Sequence, residues 1–126
     1  NNADTTNIEV NSSTFDNNIS NNNVVSPLKS INIKLNQLIS NNKFKDAWDY
    51  FNLMIYNNKN IKPDIFTLTI LLKGCRHNND INIANKIWII MQEYNIKPNE
   101  HSMGEMIAIY FKNNEISNAY NLFQKF

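Results

Sequence analysis

Apolar residues in the middle of the chain recur at steps of three and four: Ile65, Leu68, Leu72 and Cys75, then, after a polar break from His77 to Asp80, Ile83, Ala84, Ile87, Trp88, Met91 and Tyr94. That spacing gathers each set on one face of an α-helix, so it predicts two amphipathic helices joined by a short turn. Asp80 is placed to cap the second helix, and Asp64 and Asn99 the first helices that follow them, because a short side-chain oxygen accepts from the unpaired N–H groups of a first turn. The plan recurs on both sides. Phe44, Ala47, Trp48, Phe51 and Ile55 form one stripe upstream; Met103, Met106, Ile107 and Tyr110, then Ile116, Ala119, Tyr120 and Phe123, form two downstream.

Sliding the chain by 35 residues sets Ile61-Lys62-Pro63-Asp64 on Ile96-Lys97-Pro98-Asn99, Asn78-Asn79 on Asn113-Asn114, Ala84 on Ala119 and Trp88 on Phe123. A slide of 37 sets Ala47, Phe51 and Met54 on Ala84, Trp88 and Met91, which leaves two extra residues near Asn57 to Asn60. Similarity at a fixed period is the mark of a solenoid, in which each hairpin hides its open apolar flank against the next. The recurring alanine fits a close approach of two helices, and the aromatic four residues on fills the adjacent gap. The fold class predicted is therefore all-α, a right-handed α-α superhelix of helical hairpins whose first helices line the concave side. Its repeats are 28–64, 65–99 and a truncated 100–126.

Residues 1–26 stand apart. They hold three acids, Asp4, Glu9 and Asp16, no lysine or arginine, and runs such as NNISNNN that bury too little apolar area to offset chain entropy. A disordered, asparagine-rich tail or linker is expected there. All twelve basic residues lie from Pro27 onward against eight acids, so a chain of net charge +1 carries a repeat region of +4. That balance permits a polyanion partner without requiring one. The abundance of asparagine and isoleucine, and of lysine over arginine, reads as the codon bias of an AT-rich genome. Cys75 is the single cysteine, which excludes an internal disulfide. No apolar run approaches the roughly 20 residues that span a bilayer, and no targeting pattern opens the chain. It begins without Met and stops inside a repeat, as a piece of a longer array would.

The first helix with Gly74-Cys75, then the alanine, the aromatic, the methionine and the closing IKPD or IKPN, resembles the pentatricopeptide repeat over Leu28 to Phe126. Tetratricopeptide repeats, the nearest rival, run at 34 residues with a different arrangement of Trp, Gly and Tyr. The resemblance implies single-stranded RNA as the partner, a mitochondrial or plastid location, and one base read per repeat, by the fifth and last residues at its edge and the second on its faces. Carried over, the middle repeat offers Thr69 and Asn99 as edge readers, resembling an adenine reader, with Phe66 in the packing place. The first offers Asn32 and Asp64, resembling a uracil reader, with Lys29 in the packing place; its two extra residues disturb that register. The third has His101 second and Gly104 fifth, and glycine has no side chain to read with. Each of these has an ordinary reading as well: Asp64 and Asn99 as helix caps, Phe66 as packing, His77 and Lys112 as solvated helix ends rather than phosphate contacts.

Nothing assembles into a catalytic or cofactor site. His77 and His101 are 24 residues apart, one cysteine does not complete a zinc site, and two glycines make no phosphate loop. The chain is read as not itself an enzyme, with no cofactor, metal, membrane or small-molecule substrate. The alternatives to RNA recognition are a protein-binding helical scaffold and the RNA-docking arm of a larger enzyme such as a protein-only ribonuclease P. Stacking contributes roughly 1 to 3 kcal/mol per base, so two readable repeats supply about 2 to 6, against an association cost of roughly 4 to 15 kcal/mol. The chain alone is thus expected to show no binding to a short RNA at concentrations below about 100 μM; a nanomolar complex by fluorescence anisotropy would contradict this.

Overall fold

A computed structural model describes residues 25–125. The tail expected over 1–26 lies outside the described residues apart from Val25 and Ser26. Six helices follow: α1 (Pro27–Ser40), α2 (Phe44–Phe51), α3 (Ile65–Asn78), α4 (Ile81–Glu93), α5 (Glu100–Lys112) and α6 (Ile116–Gln124), with no strand among the described residues. α2 runs on as a π-helical turn, Asn52–Tyr56, where Asn57 N–H donates to the Asn52 carbonyl at 2.8 Å. The Asn52 amide also donates to the Trp48 carbonyl at 2.9 Å, and so competes with the backbone for that acceptor where the winding changes.

The helix starts are local chemistry. Asp64 Oδ1 accepts from Thr67 N–H at 3.0 Å, Asn99 Oδ1 from Ser102 N–H at 2.9 Å, and Asp80 Oδ1 from Ile83 N–H at 3.0 Å, so all three expected caps form. At two of them the bond is reciprocal: Thr67 Oγ1 accepts from Asp64 N–H and Ser102 Oγ from Asn99 N–H, and both hydroxyl residues are wholly buried. Ser26, assigned to the tail by its composition, caps α1 by accepting from Lys29 N–H, ahead of Pro27 in the first turn. The turns inside the three hairpins each hold an asparagine in the left-handed region, Asn42, Asn79 and Asn114, with φ of 61°, 53° and 61°. Asparagine tolerates that conformation better than any other residue with a Cβ of its size. Part of the asparagine excess is therefore structural.

α3 packs against both α1 and α5, each second helix packs on its own first helix, and α2 and α4 pack also on the next repeat's first helix. No comparable contact joins α2 to α4 or α4 to α6. The hairpins thus converge along the first helices and fan apart along the second, which makes α1, α3 and α5 the concave layer. Ala47, Ala84 and Ala119 are all buried in equivalent positions. The aromatic partners grade from Phe51, buried, through Trp88, half-buried, to Phe123, 67% exposed. Ile116, Tyr120 and Phe123 carry the apolar stripe of α6, yet all three are exposed, because no further hairpin covers that flank among the described residues.

Gly74 and Gly104 occupy opposite environments. A Cβ at Gly74 would stand 2.5 Å from Cδ1 of the buried Phe44 ring and 3.2 Å from Ile39 Cδ1, so the missing side chain lets α3 close on the first hairpin. Around Gly104 nothing lies within 4 Å. Gly74→Ala is expected to lower unfolding free energy by about 1 to 3 kcal/mol through overpacking, and Gly104→Ala to raise it by about 0.5 to 1 kcal/mol through helix propensity. Chemical denaturation of the two variants should give shifts of opposite sign.

Candidate functional site

The concave layer opens into a cleft of about 380 Å³ lined by Asn32 and Asn36 of α1, Phe66, Thr69, Ile70 and Lys73 of α3, and Asn99 and His101 at the start of α5. Its floor follows from helical geometry: Phe66, Thr69, Ile70 and Lys73 stand at i, i+3, i+4 and i+7 on one face. The walls come from neighbouring repeats, which reach the cleft only because α3 is flanked by α1 and α5.

The polar groups in it are partly committed. Thr69 Oγ1 donates to the Ile65 carbonyl at 2.7 Å, so the hydroxyl has lone pairs left and no proton to give. Asn99 Oδ1 is held by the Ser102 cap, which fixes the amide orientation and leaves Nδ2 as its free donor. An acceptor and a donor therefore line the same cleft, one from α3 and one from the start of α5. Phe66, 68% exposed, presents a ring to solvent, and His101, also exposed, lines the same cleft. Asn32 is half-buried, and its Oδ1 is closed off from solvent with no hydrogen-bond partner. Lys73 is the one permanent charge in the lining, and no carboxylate lines the cleft. Unscreened by an acid, it makes the site favourable for an anion.

Of the residues singled out in the sequence, Asn32, Phe66, Thr69, Asn99 and His101 meet in this cleft. Asp64 does not line it; its Oδ1 accepts from both Thr67 N–H and Thr67 Oγ1 at the start of α3. Lys112 Nζ donates to the Arg76 carbonyl at 3.2 Å and so ties α5 to the end of α3, while Arg76 forms an ion pair with Glu105 across the same junction. His77 is exposed and Gly104 lies outside the cleft. Asn36, Ile70 and Lys73 were missed, although Asn36 is four residues after Asn32 and Lys73 four after Thr69, the spacing that puts them on the same faces. Cys75 is fully buried, and burial pushes its thiol well above the ordinary range, which keeps it protonated and unreactive. Among the described residues no group of three or more His, Cys, Asp or Glu is placed to hold a metal, and no helix is long and apolar enough to cross a membrane.

Two family models match the chain: the PPR repeat family over residues 29–77 and the PPR repeat over 66–96, together more than half of it. A pentatricopeptide repeat-containing protein from Arabidopsis thaliana is 27% identical over 94 residues, which is 75% of this chain and 16% of that protein. A mitochondrial complex I intermediate-associated protein 84 from Neurospora crassa is 26% identical over 70 residues, 56% of this chain and 9% of that protein. The chain therefore spans less than a fifth of either relative's length.

Because Asn99 both caps α5 and faces the cleft, substitution separates the two roles. Asn99→Ala should cost about 1 kcal/mol of stability by loss of the cap, and Asn99→Ser should restore most of it. Thermal unfolding of the two variants measures this; equal loss in both would show that the cap is not what holds the residue.

Proposed function

The chain belongs to the pentatricopeptide repeat family, and on that premise we propose that the concave cleft takes a segment of single-stranded RNA, seating one base between Phe66 and His101. The observation that carries this reading is the convergence of an open aromatic ring, a donor–acceptor pair and an unneutralised lysine in one cleft free of carboxylates. The ring offers a stacking face, the pair meets a base edge, and Lys73 attracts the backbone. With Thr69 limited to accepting and Asn99 to donating, the matching edge has an amino group beside a ring nitrogen acceptor. Adenine and cytosine present that edge, whereas uracil and guanine place a carbonyl where the amino group would be. The family's code favours adenine for a threonine with an asparagine. Asn32 contributes to the neighbouring base from α1, and Gly104 leaves the third repeat without a reader.

The family and the mitochondrial designation of the Neurospora relative support a role in organelle RNA processing, stability or translation, carried out by a larger array of such repeats. The same relative's name, a complex I intermediate-associated protein, supports a second reading in which the solenoid also engages proteins.

The test is an NMR titration of the isotopically labelled chain at millimolar ligand, where weak binding is visible. A short oligoadenylate should move the Asn99 side-chain amide and His101 ring signals in a saturable way, and oligouridylate should move them far less. Lys73→Gln should reduce the salt dependence of binding by about 0.7 in log–log slope, the loss of one phosphate contact on a single strand. Shifts confined to residues outside the cleft, or equal responses to the two oligonucleotides, would defeat the proposed base reading.

A further inference from the structure

On the opposite, convex face a second groove of about 370 Å³ runs between α2 with its π-helical turn and α4, lined by Trp48, Asn52, Tyr56, Lys86, Ile89 and Ile90. It exists because the second helices fan apart: α2 and α4 are bridged at one end by Tyr56, whose hydroxyl donates to Glu93 Oε1 at 2.9 Å, while their backbones stay separated. We propose that this groove docks a segment of a partner protein that sets an aliphatic side chain beside a carboxylate.

Two donors that face the groove bond to no described residue. Trp48 is only 8% exposed, lines the groove, and its indole N–H donates to no acceptor among the described residues. Lys86 is exposed and forms no ion pair among the described residues. Asp49 pairs with Lys45 at 3.2 Å, and Glu93 accepts from the Tyr56 hydroxyl. Two donors, one of them cationic, thus face a groove whose wall includes the aliphatic pair Ile89 and Ile90, with Ile89 54% exposed. An occupant needs an anionic acceptor and an apolar body.

The same lining disfavours a nucleotide. The Trp48 ring is stacked on Phe51 with centroids 5.6 Å apart and planes 18° from parallel, so one of its faces is covered and little more than an edge remains. Lys59 Nζ sits 4.4 Å from the centroid of the Tyr56 ring, occupying one of its faces. A base stacks on an open aromatic face, and in the convex groove, unlike Phe66 in the cleft, each ring already has one face occupied. A leucine or isoleucine side chain needs only the aliphatic wall. The π-helical winding is what brings Asn52 and Tyr56 to the groove's edge, and such winding recurs at functional sites.

Nuclear magnetic resonance of the full chain tests this without reference to RNA binding. The chain has two tryptophans, so its two indole signals are assigned with a Trp88→Phe variant. A terminally blocked peptide carrying leucine beside glutamate should shift the Trp48 indole proton saturably at roughly millimolar concentration, the range expected of so small a ligand. Lys86→Gln, at an exposed position that leaves the core intact, should weaken the effect roughly tenfold. A leucine–glutamine peptide should be similarly weak, and Thr69→Ala in the concave cleft should leave the titration unchanged. No movement of the Trp48 signal, or equal movement with the glutamine peptide, would overturn the proposal. So would displacement of the peptide by oligoadenylate, which would make the groove an RNA site. A shift of the Trp48 signal in Glu9→Gln without added peptide would also overturn it, since the chain's own Ile8-Glu9-Val10 would then be the occupant.

Discussion

α3 is held between α1 and α5, and the apolar contact along that seam is the interaction on which the other features rest. Leu68, Leu71, Leu72 and Cys75 of α3 are fully buried, because helices from three hairpins supply the surface that hides them. Each such leucine contributes about 1.5 to 3 kcal/mol by leaving water, and only part of that is available to a hairpin standing alone, from α4. α6 shows the contrast: with no following repeat over it, only Ala119 is buried. The polar ties between repeats, Arg76 to Glu105, Lys112 to the Arg76 carbonyl and Asn113 to the Asn79 side chain, hold the register along the same seam. Their partners are brought within reach by the apolar packing, so they sharpen an alignment they do not create.

Stacking first helices against each other while second helices spread produces two faces of unlike chemistry. On the concave side the side chains of adjacent repeats point toward one another, which is why residues from α1, α3 and α5 share one cleft. Its exposed aromatic and its amide, hydroxyl and ammonium groups form a surface suited to flat, hydrogen-bonding, anionic matter. On the convex side the separation of α2 from α4 leaves a groove with an aliphatic wall, in which each aromatic ring has one face occupied. A single curvature thus gives the two layers different chemistry, and a variant that loosened the seam would disturb both.

Asn99 shows how one residue serves fold and site together. Its oxygen is spent on the first turn of α5, and that commitment is what orients the remaining amide into the cleft. Thr69 is constrained in the same manner by its bond to the Ile65 carbonyl. The hydrogen-bonding character of the cleft is therefore set by backbone chemistry, with little rotational freedom left to either side chain. Such preorganisation reduces the entropy lost when a ligand is bound.

Much of this was written in the order of residues. The period, the two helices per repeat, the caps at Asp64, Asp80 and Asn99 and the buried alanines follow from interactions spanning a single helix turn or a fixed offset, so spacing alone determines them. The candidate cleft was legible in part: Asn32, Phe66, Thr69, Asn99 and His101 were implied by the family resemblance applied to the repeat register, whereas Lys73 and Asn36 went unnoticed although they lie on the same helix faces. Tertiary structure decided the rest. That Asp64 stays with its own cap, that Tyr120 and Phe123 face solvent, that Gly74 admits the Phe44 ring and that a groove opens between α2 and α4 all depend on distances between helices far apart in the chain. Periodicity fixes which way a side chain leaves its helix; only the packing of whole helices fixes what it meets.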